Sequence, residues 1–121
     1  MRSEYLSTEA ALDEFLQSFR DGTLAKAEWT HGAHVAAAVS YLFAADVAAV
    51  LPRLRLEIRA FNEAVGGSNT ATSGYHETLT CFWLLIVNQH LRRVQPLSSL
   101  QAAQSAVALF GEARTLHTLY Y

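Results

Sequence analysis

The sequence predicts an all-α protein, a single-domain bundle of five or six helices over residues 1–121. Apolar residues recur at intervals of three and four along most of the chain, which is the spacing of one helical face. Sustained alternation of polar and apolar residues, the signal of a half-buried strand, is missing from the sequence. Hydrophobic residues make up 51% and charged residues 17%, a balance typical of a folded globular domain.

Capping residues bound the first helix and begin the second. Four apolar residues share one face of the first helix: Leu12, Phe15, Leu16 and Phe19. Ser7 or Thr8 can cap its start, and Gly22 can adopt the left-handed conformation that ends a helix. Thr30 is the candidate N-cap of a second helix that reaches about residue 45, with Trp29 as the apolar residue before the cap.

The third helix and the loop after it are marked by Asp, Pro and Gly. Asp46 can cap a helix that reaches residue 64 or 65. Pro52 should kink that helix or mark its true first turn, because proline lacks the N–H of the helical ladder. Residues 66–74 are rich in Gly, Ser, Asn and Thr and are predicted to form one long loop.

The most apolar segment of the chain is predicted to be a central helix. It runs from residue 75 to about residue 94, and its part 79–87 is apolar nearly all round, which is typical of a helix in the middle of a bundle. Ser98 with Gln101 three residues later forms a capping box for a fifth helix. Residues 112–121 are a candidate for a short sixth helix.

Charge and hydropathy argue against nucleic acid and membrane as partners. The formal net charge is −2, and no basic stripe of the kind that binds nucleic acid is visible. The Ala/Val-rich segment 33–51 contains His34 and Asp46, and 79–87 is about half the ~20 residues that a spanning helix needs. A single cysteine, Cys81, allows no intramolecular disulfide, which fits a cytoplasmic location.

Two histidines in the second helix are candidate metal ligands. His31 and His34 are three residues apart and therefore lie on one helical face, which continues into apolar residues. Buried imidazoles need partners, and a metal ion would satisfy both rings. The alternative is a structural role, in which each histidine forms a hydrogen bond with a loop carbonyl. It stays open because a histidine pair with HxxH spacing is by itself a weak motif for metal binding.

The stretch "SGYHET", residues 73–78, supplies the third candidate ligand. His76 falls in the first turn of the fourth helix and on its apolar stripe. Three histidines with an open position are typical of catalytic Zn²⁺, whereas two histidines and Glu77 would suggest Fe(II). The expected cofactor is a divalent metal, Zn, Fe, Mn or Ni. Glu77 is rotated by ~100° from His76, so it is a candidate acid/base, an acceptor that orients a metal ligand, or a cap for the N–H groups of the loop. Tyr75 is a candidate proton donor or substrate contact.

Amides and hydroxyls around the loop are candidate contacts for a small polar molecule. Asn62 lies in the last turn of the third helix, and the loop would bring Asn69 and Thr70 back towards the fourth helix. Trp29, next to the histidines, is a further candidate ligand contact. The alternative is that both asparagines cap helices and turns. The loop lacks the pattern of a phosphate-binding loop, so no nucleotide cofactor is expected.

Two segments resemble an uncharacterised family of small bacterial proteins: "EWTHGAHVAAAVSYL" (28–42) and "RAFNEAVGGSNTATSGYHETLT" (59–80). The family carries W-[TN]-H-x-x-H-[LV], followed by N-x-x-x-G-x-x-N-T and G-Y-H-E-T. The matching residues are Trp29, His31, His34, Asn62, Gly66, Asn69, Thr70, Gly74, Tyr75, His76 and Glu77. The family implies no activity, and its chains continue past a Tyr-rich stretch like 120–121, so a shortened C-terminus is one expectation. A weaker likeness of plan relates the chain to DinB-type bundles, in which three histidines bind a metal.

Three functions are therefore open. The first is a small enzyme with a mononuclear metal on His31, His34 and His76 that activates water or a substrate oxygen. The second is a metal-free protein that binds a small polar molecule or performs acid/base chemistry with His76 and Glu77. The third is an interaction module, a helical homodimer in which the histidines are core or interface groups.

Overall fold

In a computed structural model, which describes residues 4–67 and 77–111, the helices follow one another as predicted. A 3₁₀ helix (Glu4–Leu6) precedes α1 (Glu9–Asp21), a second 3₁₀ helix (Lys26–Glu28), α2 (His31–Ala44), α3 (Val47–Ala64), α4 (Glu77–Val94) and α5 (Ser99–Phe110). These ranges contain no strand, which confirms the all-α class. The segment predicted as a sixth helix, 112–121, lies outside the described residues.

The predicted caps begin and end the helices. Four side chains accept a hydrogen bond from a backbone N–H of the first helical turn: Thr8, Thr30, Asp46 and Ser98. Gly22 ends α1 with a φ of 75°, the left-handed conformation that glycine adopts most easily. Pro52 is inside α3, five residues after its first residue, Val47. The alternative that this proline marks the first turn is therefore wrong, because Asp46 has already capped the helix.

The helix at the centre of the bundle is α2 rather than α4. Every residue of α2 from 35 to 42 is buried, and α2 packs against α3, α4 and α5. In α4, Leu85 is 60% exposed although it lies within the apolar run 79–87. The expectation of a central α4 is therefore wrong. The small alanines of α2 allow neighbouring helices to approach closely from several sides, whereas α4 has a side, at Leu85, that faces solvent.

Aromatic packing joins three elements at one end of the bundle. The four predicted core residues of α1 are all buried. One of them, Phe19, stacks on Trp29 with ring centroids 4.2 Å apart and contacts Phe61 at 5.5 Å. This cluster holds the residue before the N-cap of α2 against the last turns of α1 and α3. It therefore fixes the position at which α2 begins.

A polar contact fastens α4 to α5. His90 is buried, and its Nε2 lies 2.7 Å from the hydroxyl oxygen of Ser105. Burial lowers the pKa of His90, and the charge of Arg93 lowers it further. His90 is thus an inter-helix histidine.

Candidate functional site

The first turn of α2 places two histidines beside each other. The Thr30 hydroxyl accepts a hydrogen bond from the backbone N–H of Ala33 at 3.2 Å, so the helix begins at His31. His34 follows one turn later on the same face. Both side chains are half-buried. The two rings are close enough that the charge of His31 affects the pKa of His34.

The ring of His34 has a defined orientation. Its Nδ1 lies 2.8 Å from the carbonyl oxygen of Thr30. A carbonyl can only accept, so Nδ1 carries the proton and Nε2 keeps its lone pair. Burial lowers the pKa of His34 to about 4, the bond to Thr30 opposes this shift, and the charge of His31 adds to it. The imidazole is therefore neutral near pH 7.

His31 lies against the second turn of α4. Its ring meets the ring of Trp83 edge-on, with centroids 4.6 Å apart. Trp83 belongs to the second turn of α4, six residues after Glu77. The start of α2 thus contacts the second turn of α4. His76, the third candidate ligand, lies outside the described residues, as does the other α4 candidate, Tyr75.

Trp29 forms the floor beneath His34. The two rings are 3.9 Å apart between centroids, and the indole also contacts Phe19 and Phe61. The indole nitrogen Nε1 is buried and has no hydrogen-bond partner among residues 4–67 and 77–111. A buried donor without an acceptor costs about 1–3 kcal/mol. Such a cost at a candidate site is typical of a group that meets a ligand.

The end of α3 adjoins this site through aromatic contact. Phe61 lies 5.5 Å from Trp29 between ring centroids, and the candidate ligand contact Asn62 is the next residue. The backbone carbonyl of Asn62 accepts a hydrogen bond from Gly67 N–H at 2.7 Å, which closes the helix end. The side chain of Asn62 is half-buried. The other two loop candidates, at positions 69 and 70, lie outside the described residues.

Glu77, the candidate acid/base, is paired with Arg55 of α3. Both carboxylate oxygens accept from the guanidinium, Oε1 from Nε at 2.9 Å and Oε2 from Nη2 at 2.7 Å. The Cys81 thiol lies 3.8 Å from Oε2. Burial raises the pKa of Cys81, and the neighbouring Glu77 charge raises it further, so the thiol is protonated near neutral pH. The two-pronged Arg55 pair holds Glu77 in one orientation.

A second polar cluster joins α1, α2 and α3 and was not predicted from the sequence. The buried Tyr41 hydroxyl donates to Glu57 Oε1 at 2.5 Å and accepts from Arg20 at 3.2 Å. Arg53 bonds Glu57 at 3.0 Å and lies over the Tyr41 ring at 4.0 Å. The i,i+4 spacing of Arg53 and Glu57 was the available signal. Each charge has a partner, so the cluster needs no ligand to be satisfied.

Fold and site define the class of protein as an all-α bundle with a histidine pair and a tryptophan at the start of α2. Within the described residues, no group of three or more His, Cys, Asp or Glu is placed to hold a metal ion, so the pair would need a ligand from elsewhere in the chain. None of the described helices is both long and apolar enough to cross a membrane. The chain matches no protein-family model, no curated protein and no solved structure.

Proposed function

We propose that the start of α2 binds a divalent metal ion through His31 and His34, with His76 as a third ligand, in a small metal-dependent enzyme. The orientation of the His34 ring carries this proposal, because Nδ1 is held by the Thr30 carbonyl at 2.8 Å. Nε2 then keeps the lone pair with which a neutral imidazole binds a metal ion. Metal-binding histidines usually have their second nitrogen fixed by a carbonyl or carboxylate in this way.

The remaining residues of the site have distinct proposed roles. Zn, Fe, Mn or Ni, bound by three histidines with an open position, would supply activation of water or of a substrate oxygen. Glu77 would take up and return a proton at a carboxylate oxygen, and Arg55 would hold that carboxylate in place. Tyr75 would contact the substrate or donate a proton. Trp29 would hold the His34 ring in place by packing against it, with ring centroids 3.9 Å apart and the ring planes tilted by 35°.

The substrate of this proposal is a small polar molecule. Asn62, Asn69 and Thr70 offer amides and a hydroxyl at the end of α3 and in the loop that follows. The resemblance of residues 28–42 and 59–80 to one bacterial family supports treating these positions as parts of one site. We place the reaction in a bacterial cytoplasm, in keeping with the single cysteine.

A second candidate function is metal-free binding of a small molecule at the same place. The buried N–H of Trp29, which has no acceptor in the described parts of the chain, favours it. A ligand oxygen that accepts from Nε1 would remove the cost of that unpaired donor. Such a ligand would also meet the neutral ring of His34, which accepts through Nε2.

Elemental analysis by plasma mass spectrometry tests the first function. Protein purified without a histidine tag is incubated with Zn²⁺, Fe²⁺, Mn²⁺ or Ni²⁺ and desalted. We expect near-stoichiometric metal in the wild type and loss of most of it in His34→Ala and in His76→Ala. His90→Gln is the matched control, because it removes a histidine that bonds to Ser105 in the α4–α5 contact. It should retain the metal.

Equal metal in the wild type and in His34→Ala, or none under any loading, would overturn the metal proposal. The second function is then tested by tryptophan fluorescence in a Trp83→Phe background, which leaves Trp29 as the emitting indole. Small carboxylic acids and amides are titrated into this variant. A saturable change that His34→Ala abolishes would support the metal-free site, and a flat response to the whole set would count against it.

A further inference from the structure

A groove with an apolar floor and an acidic rim lies beside α1. Its volume is about 370 Å³, and its floor includes Tyr5, Phe15 and Leu24. The rings of Tyr5 and Phe15 stack with centroids 4.3 Å apart. Glu14 and Glu28 stand on the rim and are exposed. An occupant of this groove would be apolar in its middle and positively charged at its edge.

The turn between α4 and α5 has the opposite character. Leu97 is 88% exposed and Val94 45% exposed, the former being the most exposed large apolar side chain of the described residues. Arg92 and Arg93 precede them at the end of α4 and are exposed. The turn therefore presents two aliphatic side chains next to two cations, a surface that is apolar in part and positively charged.

The turn is held rigidly although its apolar side chains are bare. The backbone N–H of Leu97 donates to the Gln101 side chain at 3.0 Å. The start of α5 is tied to α1 by Glu9, whose carboxylate accepts from the backbone N–H of Leu100 at 2.8 Å. A preformed turn loses little conformational entropy when it docks, so a small contact can still bind.

We propose that the chain self-associates by seating the α4–α5 turn of one copy in the acidic groove of another. Leu97 and Val94 would cover the floor at Tyr5 and Phe15. The arginines would then lie opposite Glu14 and Glu28. A second copy is the favoured occupant because these four charges form no ion pair within the described parts of the chain, and their signs are complementary.

This contact uses none of the residues of the proposed metal site. The contact joins two different surfaces, the turn of one copy and the groove of the other. If each copy inserts its turn into the groove of the other, the result is a closed dimer; if not, further copies add and form an open chain. In either case the contact is small and strongly charged. We therefore expect a weak association that salt suppresses, since exposed charges are screened beyond about 8 Å at physiological ionic strength.

Sedimentation equilibrium from about 10 to about 500 μM protein tests the proposal, because association depends on concentration. The mass of the wild type should rise above that of one chain at about 0.05 M salt and fall back at about 0.5 M. Leu97→Asp should weaken association by about tenfold or more, since it puts a charge on the apolar floor. Leu56→Asp is the matched control, because Leu56 is 71% exposed on α3. It should change nothing.

Charge reversal distinguishes this contact from any other self-association. Arg92→Glu/Arg93→Glu and Glu14→Arg/Glu28→Arg should each be monomeric alone and should associate when mixed. All exchanged side chains are exposed, and circular dichroism confirms that the variants fold. A wild type that stays monomeric at the highest concentration, an unchanged mass for Leu97→Asp, or no association in the mixture would overturn the proposal. The exposed Leu97 would then be assigned to a contact with a different protein.

Discussion

Replacing Tyr41 with phenylalanine isolates one hydroxyl that ties three helices together. The phenol of α2 donates to Glu57 of α3 at 2.5 Å and accepts from Arg20 of α1 at 3.2 Å. Phenylalanine keeps the ring, its burial and its contact with Arg53 at 4.0 Å. Any loss of stability in Tyr41→Phe therefore reports the two hydrogen bonds.

The expected loss is about 2–3 kcal/mol in the free energy of unfolding at pH 7. A hydrogen bond to a charged group contributes roughly 1.5–3 kcal/mol. The longer bond from the exposed Arg20 adds little. Glu57 keeps its bond from Arg53 at 3.0 Å, so its carboxylate is not left without a partner and the loss stays within this range. The corresponding fall in melting temperature is roughly 10 °C.

The pH dependence gives the same bond a second readout. Burial, and next the bond to Glu57, raise the pKa of Tyr41 from 10.0 to about 12, although Arg20 opposes the shift. Between these values the folded state holds the proton more tightly than the unfolded state, so stability falls as the pH rises from 10 towards 12. The free energy of unfolding should fall by about 3 kcal/mol over this pH interval. The difference between wild type and Tyr41→Phe should therefore shrink over this interval.

Urea unfolding followed by circular dichroism, at pH 7 and at steps between pH 10 and 12, makes the measurement. Tyr5→Phe is the control, because the Tyr5 hydroxyl has no hydrogen-bond partner in the described parts of the chain; it should cost less than about 0.5 kcal/mol. A Tyr41→Phe protein as stable as the wild type at pH 7 would refute the reasoning. So would a difference that stays constant up to pH 12.

Four further substitutions test the helix ends and the core by thermal or urea unfolding. Gly22→Ala should cost about 2 kcal/mol or more, because φ is +75° and the new Cβ would lie 2.8 Å from Ala64 Cβ. Gly66→Ala, at φ +87° with no atom within 4 Å, should cost only about 1 kcal/mol, and equal costs would contradict the crowding argument. Thr30→Ala should cost about 1 kcal/mol through loss of the α2 N-cap bond, and no loss would mean that the cap contributes nothing. Leu12→Ala, at a fully buried position, should cost about 3 kcal/mol, and a cost below about 1 kcal/mol would show that the site is not packed.

Helix boundaries could be predicted because their causes are local. Thr30, Asp46 and Ser98 each bond to an N–H three residues later, an interaction that sequence spacing alone reveals. Gly22 acts through its own backbone conformation. The continuation of α3 past Pro52 could not be predicted in the same way. The Asp46 cap favours a helix that begins at Val47, whereas Pro52 favours one that begins at the proline. The buried face of α3 stabilises the longer helix although one N–H of its hydrogen-bond ladder is missing.

The choice of the central helix could not be made from apolarity alone. The run 79–87 is rich in large side chains, yet Leu85 points to solvent. The segment 35–42 is rich in alanine, and all of it is buried. Hydropathy records how much apolar surface a side chain carries, whereas burial on all sides depends on how closely neighbouring backbones can approach. Small residues permit that approach, so composition favoured the wrong helix.

In the candidate site too, contacts between neighbours in the sequence could be predicted, and contacts between distant residues could not. Trp29 and His34 meet because both flank one N-cap, and the sequence could place them together. The Arg55–Glu77 pair joins residues on two helices that are 22 positions apart in the sequence. Long-range pairs of this kind depend on the packing of α3 against α4, which no short spacing encodes. Arg55 was therefore missed as the group that positions the candidate acid/base.

The two polar clusters of the bundle differ in a way that bears on function. Around Tyr41, every donor and charge finds its partner inside the fold, so stability is a sufficient reason for that cluster. Around Trp29 and His34, the described chain leaves a buried indole N–H without an acceptor, while the His34 ring is bonded to the Thr30 carbonyl through Nδ1. The unpaired N–H does not stabilise the fold, because apolar side chains of similar size at these positions would pack without leaving a buried donor unpaired. The unpaired indole N–H is therefore the observation that favours the start of α2 as the site of the ligand proposed above.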